Sequence, residues 1–318
     1  MDTTIFSQIN SALLPSAFII LLGALLIRLR PAGLTLVQSR SVISTLVLNL
    51  FYPALIFAVI PEVSLNSEML DAALASNVGI AVGMLACWGL YPWLRKHGWG
   101  KPELAAMMLV CGLGNIISLG VPLLRAVQGN EGTRFAIYVD ILAITPMLWI
   151  VGLWIAIQWG DHDEGRPGAI GFIRQLFKLP PIIAFVVSIL LNLGGLELPN
   201  FMQTAARMLG DVTMSAMLLI VGMSLSFRAF RKHKFLAIIA SMIKLILVPA
   251  IIYITAKVTT DDHETLQATV LLAAMPSMMA TLIISERFGL NTELLSTVLV
   301  VSTGLFFLTL PGWLWLVG

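Results

Sequence analysis

The chain has 318 residues, of which 58% are hydrophobic and 11% are charged, and its mean hydropathy is +0.93. Soluble domains carry about 25% charged residues, so the composition excludes a soluble fold and predicts a polytopic membrane protein. The net charge of +2, without a basic run interleaved with aromatics, argues against nucleic-acid binding, and the two cysteines in apolar stretches predict neither a disulfide framework nor a metal site.

The N-terminus, MDTTIFSQIN, lacks the basic start of a cleavable signal peptide, so the first apolar segment is predicted to be a retained span. A span needs about 20 mainly apolar residues. Ten segments fit: 9–28, 41–60, 72–94, 103–127, 135–158, 180–196, 202–226, 235–257, 265–286 and 292–315. The sixth is preceded by GFIRQLFKL, whose apolar residues share one helical face opposite Arg174 and Lys178, as in an interfacial helix.

The basic residues predict the orientation of these spans. Of the 19 Lys and Arg residues, 14 fall in one alternating set of connections, four fall in the other set, and Lys244 lies inside a span. Because cytoplasmic connections carry an excess of Lys and Arg, the 159–179 connection is predicted to be cytoplasmic. Both termini are then on the non-cytoplasmic side.

Five spans on each side of this connection predict two inverted repeats, 1–158 and 180–318. A shift of 162 residues lays LNLFYPALIFAV of span 2 over LGDVTMSAMLLIV of span 7. The same shift lays Gly114 and Asn115 of span 4 over Pro276 and Ser277 of span 9. The alternative is chance similarity between apolar helices.

Spans 4 and 9 are both predicted to break near mid-depth. CGLGNIISLGVPLL, residues 111–124, interrupts span 4, and Pro276 removes a helical hydrogen bond in the middle of span 9. Broken backbone at that depth must be buried in protein or line a water-filled cavity. A matched pair of breaks indicates a transporter's binding site, with half-helix N-termini that favour an anion. The alternative is that Gly and Pro are simply commoner in membrane helices.

The stretches NIISLGVPLL, PSMMATLIISERFG, LVLNLFYPALIF, KLPPIIAFVVSILLNL and MIKLILVPAIIY resemble the auxin efflux carrier family, and the resemblance extends over essentially the whole chain. Bacterial members of that family are commonly called malate or malonate permeases. The resemblance implies an all-α fold of ten transmembrane helices in two inverted five-helix repeats, with crossed broken helices 4 and 9. Sodium/proton antiporters and sodium/bile-acid symporters share this fold.

The resemblance also implies a function and a grouping of the spans into two domains. The chain is expected to be a secondary transporter of a small organic anion in the bacterial inner membrane, working by an elevator-type alternating-access mechanism. Spans 1, 2, 6 and 7 would form a scaffold, and spans 3, 4, 5, 8, 9 and 10 a transport domain. The expected substrate is a carboxylate such as malate, malonate or indole-3-acetate. Membrane lipid is the other expected partner, a homodimer is an option, and no cofactor is expected.

Carried over by residue, Asn115 matches the family's asparagine that hydrogen-bonds the substrate carboxylate, and Pro122 and Pro276 match its crossover prolines. Ser277 stands where plant carriers have glutamine, and SERF replaces their AKEY, so the size and identity of the substrate stay open. The full predicted substrate-binding set is Asn115, Gly114, Ser118, Pro122, Met275, Pro276, Ser277 and Asn49.

Four of these residues have a plain structural explanation as well. Asn115 is a good N-cap for the second half-helix, which is compatible with binding. For Ser118 the more direct explanation is a hydrogen bond within its own helix, for Asn49 it is a bond between helices, and for Met275 it is plastic packing.

Lys244, Asp140 and Asp211 are the costly residues, because a charge at mid-membrane costs about 3 kcal/mol on insertion scales. Each is expected to have a partner or a neutral form. One interpretation is a fixed ion pair of Lys244 with Asp140, or with Asp211 as the rival partner. The other is that one of these groups titrates and couples proton movement to transport.

Competing classes are weaker. LGD at 209–211 with Asp140 is reminiscent of an intramembrane aspartyl protease, but Met208 and Val139 stand where its motifs need glycine and tyrosine, so no enzyme is expected. A cation-coupled symporter of the bile-acid type is the closest alternative. Sodium coupling needs oxygen ligands around Pro276, where the sequence has Met, Ser and Ala.

Overall fold

A computed structural model of the protein describes residues 14–15, 18–26, 33, 35–60, 67–161, 168–196, 198–223, 227–260 and 262–318. The described part of the chain is helical and contains no strand. The start of predicted span 1 and residues 162–167 of the predicted cytoplasmic connection lie outside it.

The described helices follow one another with few connecting residues. They are α1 (18–26), α2 (Leu36–Leu46), α3 (Tyr52–Val59), α4 (Ser67–Gly89), α5 (Tyr91–Lys96), α6 (Lys101–Gly112), α7 (Val121–Val139), α8 (Leu153–Trp159), α9 (Ala169–Leu176), α10 (Pro180–Leu193), α11 (Asn200–Met223), α12 (Phe227–Met242), α13 (Val248–Thr259), α14 (His263–Ala273), α15 (Ala280–Arg287) and α16 (Thr292–Val317). Short π-helical segments at Val47–Phe51, Ile116–Gly120, Asp140–Ile144, Met147–Gly152 and Ile243–Leu247 continue several of them.

Among the described residues, six helical stretches are long and apolar enough to cross a membrane. They are Gln38–Val59, Ala72–Lys96, Ile116–Trp159, Asn200–Met223, Phe230–Val258 and Thr292–Val317. An all-helical polytopic membrane protein is therefore confirmed, whereas ten crossings in two inverted repeats remain a prediction.

Two features of the helices bear on that count. Ile116–Trp159 has 44 residues, which at about 1.5 Å per residue is roughly twice the 30 Å of a hydrocarbon core. Gly129, with φ 65° and ψ −139°, interrupts it. By contrast, α6, α14 and α15 have only 12, 11 and 8 residues, so none of the three can cross alone.

Polar side chains cap the N-terminal ends of α6 and α16. The Gly100 N–H donates to Glu103 Oε2 at 2.8 Å, which starts α6, and the Leu294 N–H donates to Asn291 Oδ1 at 2.9 Å, which caps α16. Asn291 Nδ2 donates to Glu103 Oε1 at 2.9 Å. One carboxylate therefore ties the start of α6 to the start of α16.

The chain divides into two compact units, and each combines separate parts of the sequence. The first unit contains Leu65–Glu164 and Leu225–Gly318, which carry α4–α8 and α12–α16. Within it α12 packs along α16, and α4 packs against both α6 and α13. Its core surrounds α6 and α14, and both of these helices are almost wholly buried next to their breaks.

The second unit contains Pro15–Ser64 and Gly165–Ser224, which carry α1–α3 and α9–α11. Its α3 packs on α10 and α11. The end of α3 is held by side chains, since Asn192 Nδ2 donates to the Ile60 carbonyl and Gln203 Nε2 donates to the Ala58 carbonyl, each at 3.0 Å. These bonds satisfy carbonyls that have no partner within the helix.

Glycines let the helices of the second unit approach closely. A Cβ atom at Gly210 of α11 would lie 2.9 Å from the Leu55 Cα of α3. A Cβ atom at Gly222 of α11 would overlap the Ile20 carbonyl of α1 and lie 2.8 Å from the Gly23 Cα. Small residues at such contacts are the usual basis of helix packing in membranes.

Candidate functional site

The two predicted helix interruptions are both present, in the first unit. The first half-helices end at Gly112 and Ala273, and helical structure resumes with the π-helical segment Ile116–Gly120 and with α15 at Ala280. Leu113, with φ −96° and ψ 122°, and Asn115, with φ −84° and ψ 73°, have left the helical conformation. The residues that break the helices are those that the sequence indicates, because glycine and proline disfavour a continuous helix.

The two breaks lie against each other and form a short antiparallel bridge at Gly114 and Ser277. The Asn115 N–H donates to the Pro276 carbonyl at 2.8 Å, and the Met278 N–H donates to the Leu113 carbonyl at 2.9 Å. Backbone groups released by one break are thus satisfied by the other, which is what the interior of a bilayer requires.

The bridge has a local two-fold character. A shift of 163 residues carries Leu113 to Pro276 and Asn115 to Met278, and so exchanges the two hydrogen bonds. This shift differs by one residue from the 162 that the sequence predicts. The relation concerns the backbone at the bridge alone.

The C-terminal ends of the two first half-helices are capped by side chains. Ser277 Oγ donates to the Val110 carbonyl of α6 at 2.7 Å, and Lys244 Nζ donates to the Ala273 carbonyl of α14 at 2.7 Å. Both carbonyls lie in the last turn of a helix, where no backbone N–H remains to pair with them and where the helix dipole is negative.

Asn115 carries the amide that the sequence singles out. Its side chain is 4% exposed, and its Nδ2 has no hydrogen-bond partner among the residues that the structure describes. The side chain does not cap the following π-helical segment; instead, the Asn115 carbonyl accepts the Leu119 and Gly120 N–H groups at 3.3 Å each. A buried amide donor without a partner is suited to bind an oxygen atom of a ligand.

The remaining predicted residues near the break are mostly packed. Ser118, Met275 and Ser277 are buried, and Pro122 lies in the first turn of α7. Met275 is fully enclosed, and Met278 and Met279 beside it are 6% and 3% exposed. The methionines therefore form packing around the bridge.

A cavity of about 20 Å³ lies beside the bridge, within the first unit. Gly114, Lys244 and Ser76 line it, as do Ile116 and Ile144, so three of the π-helical segments border it. π-Helical segments are frequent at functional sites. The cavity has room for about one water molecule, but not for a carboxylic acid.

The ionisable candidates Lys244 and Asp140 have different hydrogen-bond partners in the structure. Lys244 is 2% exposed, and no carboxylate of the described residues lies within 4.0 Å of its Nζ. Asp140 is 4% exposed; its Oδ2 accepts from Thr145 Oγ1 at 3.0 Å, and its Oδ1 has no partner in the described part of the chain. The two groups do not form an ion pair with each other.

Asn49 and Asp211 belong to the second unit, whereas the other nine candidate residues belong to the first. Asn49 is exposed, and its Nδ2 donates to the Thr45 carbonyl of its own helical stretch at 2.8 Å. Asp211 is exposed on α11. Neither residue takes part in the bridge.

Sequence reasoning missed the carbonyl partners of Lys244 and Ser277 and the presence of Ser76 at the cavity. The sequence does contain a signal for these carbonyl partners, because a break in a helix always leaves unpaired carbonyls before it. Which donor meets them depends on the tertiary structure, and nothing in the composition indicates it.

Comparison with known proteins gives a match to one family model and to several transporters. The model of the family described as "Membrane transport protein" matches residues 9–164 and 168–314. An uncharacterized transporter of Methanothermobacter thermautotrophicus is 28% identical over 315 residues, which cover 97% of this chain and 98% of the relative. An uncharacterized transporter of Methanocaldococcus jannaschii is 27% identical over 291 residues, which cover 89% of this chain and 92% of the relative. A Rhizobium meliloti protein named "Putative malonate transporter" is 22% identical over 320 residues, which cover 98% of this chain and 96% of the relative.

Proposed function

The chain belongs to the auxin efflux carrier family of membrane transport proteins, and we propose that it is a secondary active transporter of a small organic anion with a carboxylate group. The observation that carries this proposal is the buried Asn115 amide, whose unpartnered Nδ2 lies directly beside the hydrogen-bonded breaks. A carboxylate oxygen is a strong acceptor for such a donor.

In this proposal the substrate carboxylate accepts a hydrogen bond from Asn115 Nδ2. Gly114, Ser118 and Pro122 contribute the first-repeat side of the site, and Met275, Pro276 and Ser277 contribute the second. The start of a helix beyond a break carries unpaired N–H groups and a partial positive charge, which also favours an anion. The relative named for malonate supports a small carboxylate over a large one.

The proposed mechanism is elevator-type alternating access. The first unit, with spans 3, 4, 5, 8, 9 and 10, would carry the substrate, and the second unit, with spans 1, 2, 6 and 7, would be the scaffold. What supports this division is that the contacts of the chain group the helices in the same way. The excess of Lys and Arg on one set of connections supports an inner-membrane protein with both termini outside the cytoplasm.

The test is uptake of malate, malonate, succinate and indole-3-acetate into proteoliposomes. We expect transport of at least one acid, and we expect Asn115→Ala to reduce it about tenfold or more, since a carboxylate loses a hydrogen bond in a buried site. The matched control is Asn130→Ala, the same change at an exposed asparagine of α7. Full transport by Asn115→Ala would refute the site, and no uptake of any acid would refute the substrate class.

Proton-coupled transport of the same anion is a second candidate, favoured by one observation. Asp140 is a buried carboxyl group with one oxygen bonded to Thr145 and the other without a partner in the described residues. An ionisable group inside a span marks a candidate proton pathway, and a carboxyl group whose exposure changes during transport can take up a proton on one side and release it on the other.

A further inference from the structure

Lys244 is a buried lysine with no counter-charge among the described residues. It lies at 2% exposure in the π-helical segment Ile243–Leu247, inside the apolar stretch Phe230–Val258. Its partner is a neutral group, the Ala273 carbonyl at 2.7 Å, and no described carboxylate is within 4.0 Å. A buried ammonium group without a counter-charge is strongly unfavourable, so a buried lysine is either paired with an anion or neutral.

Capping a helix does not by itself require a lysine here. The carbonyl at the end of the companion half-helix, Val110 O, is capped by the neutral hydroxyl of Ser277 at the same distance of 2.7 Å. The dipole at the end of α14 supplies only about half a negative charge, which leaves much of the ammonium charge uncompensated. In its ammonium form Lys244 therefore carries a charge in excess of what its capping bond needs.

The ammonium group is also accessible from the cavity. Lys244 lines the cavity together with Gly114 and Ser76. Gly114 leaves this side of the ammonium uncovered, because a Cβ atom there would lie 3.3 Å from Lys244 Nζ. An ammonium group has three N–H donors, and the Ala273 carbonyl uses one of them.

We propose that Lys244 is an anion-binding residue of the transporter: its ammonium group receives a carboxylate of the transported acid in the cavity beside Gly114 while it keeps its bond to the Ala273 carbonyl. This inference rests on the proposed function. It adds a charged contact, in a cavity that Gly114 lines and Asn115 does not, to the neutral amide of Asn115. Since the cavity holds about 20 Å³, the side chains around it move apart when the acid enters. The bound acid is then the counter-charge of Lys244.

The experiment compares each acid with its uncharged amide on purified protein. Affinities of wild type, Lys244→Met and Lys257→Met are measured by calorimetry for malonate and malonamide, malate and malamide, succinate and succinamide, and indole-3-acetate and indole-3-acetamide. Lys257 is the matched control, because it is an exposed lysine at the end of α13 with its ammonium over the Tyr253 ring. Thermal midpoints without ligand report whether each variant is folded.

We expect wild type to bind at least one acid more tightly than its amide. In Lys244→Met the affinity for that acid falls about tenfold or more while the affinity for the amide changes little, and Lys257→Met behaves as wild type. Equal acid-to-amide ratios in wild type and Lys244→Met would overturn the inference and leave the proposed function standing. If wild type binds none of the acids, the proposed function fails and this inference fails with it.

A second variant covers the case in which Lys244→Met does not fold. Gly114→Ala keeps the ammonium group and its bond to the Ala273 carbonyl but places a methyl group against Nζ, at the tip of a flexible side chain that can shift slightly. We expect it to lower the acid-to-amide ratio at an unchanged thermal midpoint. An unchanged ratio in folded Gly114→Ala would contradict a carboxylate on this side of Lys244.

Discussion

At the scale of single residues, the side chains beside the bridge donate hydrogen bonds to backbone carbonyls and not to one another. Ser277 and Lys244 each donate to a carbonyl that a broken helix leaves unpaired. Asn115 differs from both, because its Nδ2 donates to nothing in the described part of the chain. Buried polar groups in proteins are nearly always paired, so an unpaired one beside two helix breaks indicates a place for a ligand.

Asp140 permits a residue-scale prediction about coupling. If its buried carboxyl group carries the coupled proton, Asp140→Asn removes the titrating group but keeps the side chain's size and its ability to accept from Thr145 Oγ1. We expect the variant's uptake to become independent of an imposed pH gradient. Uptake into proteoliposomes with and without an inward proton gradient measures this.

Asp211→Asn is the matched control for this prediction, since Asp211 is an exposed aspartate of the second unit. It is expected to keep the wild-type response to the gradient. If Asp140→Asn also keeps that response, Asp140 is not the coupling group. If wild type shows no response, transport of the acid is not proton-coupled.

At the scale of helices, the sequence indicates where they break but not how the breaks meet. Gly112, Gly114 and Pro276 suffice to predict interruptions at 113–115 and near 276, because glycine and proline act locally. The bridge between Gly114 and Ser277 depends on the packing of α6 against distant helices. The one-residue difference between the shifts of 162 and 163 has the same origin, since hydrophobic similarity between helices does not define a register.

The π-helical segments had no signature in the sequence either. They lie within apolar stretches such as MIKLILVPAIIY, whose composition fits an ordinary α-helix equally well. Each adds a residue to one turn and so turns the following side chains about the helix axis. The segment Ile243–Leu247 carries Lys244, which the sequence marks only as a costly charge and which lines the cavity in the structure.

The close contact of α11 with α1 gives a helix-scale prediction about stability. Gly222→Val places a branched side chain against the Ile20 carbonyl and the Gly23 backbone, where the structure leaves no room. Overpacking of this kind costs about 1–3 kcal/mol, and more where backbone must move. We expect a lower thermal midpoint in detergent and a smaller monodisperse fraction in size-exclusion chromatography.

Gly304→Val is the matched control, because a Cβ atom at Gly304 of α16 meets nothing within 4 Å. The same substitution there is expected to leave the thermal midpoint nearly unchanged. Equal effects of the two substitutions would show that the cost comes from valine in a membrane helix and not from the contact of α11 with α1.

At the scale of the whole molecule, the division into two units is the feature that supports the proposed elevator-type mechanism. Each unit combines segments from both halves of the sequence, so its boundaries could not be read from composition or from connection lengths. The scaffold and the transport domain are predicted from the family resemblance alone. Both helix breaks and Lys244 lie in one unit, so a substrate bound there would move with that unit as a body.

Elevator-type transport predicts a change in distance between the units and none within them. Spin labels are placed on cysteines introduced at exposed positions, after Cys87 and Cys111 are replaced by alanine. Lys96 with Lys178 spans the two units, Lys96 with Arg287 lies within the first, and Gln38 with Lys178 lies within the second. Pulsed electron paramagnetic resonance in lipid nanodiscs gives the distance distribution of each pair with and without a transported acid.

We expect the pair that spans the units to show two populations whose proportions shift when the acid binds, because a ligand changes the balance between conformations that it binds with different affinity. The two pairs within units keep a single distribution, since each unit moves as a body. A rocking or gating motion inside the first unit would instead change the Lys96 and Arg287 pair. Asn115→Ala, which is expected to bind the acid weakly, provides the control in which no population shifts.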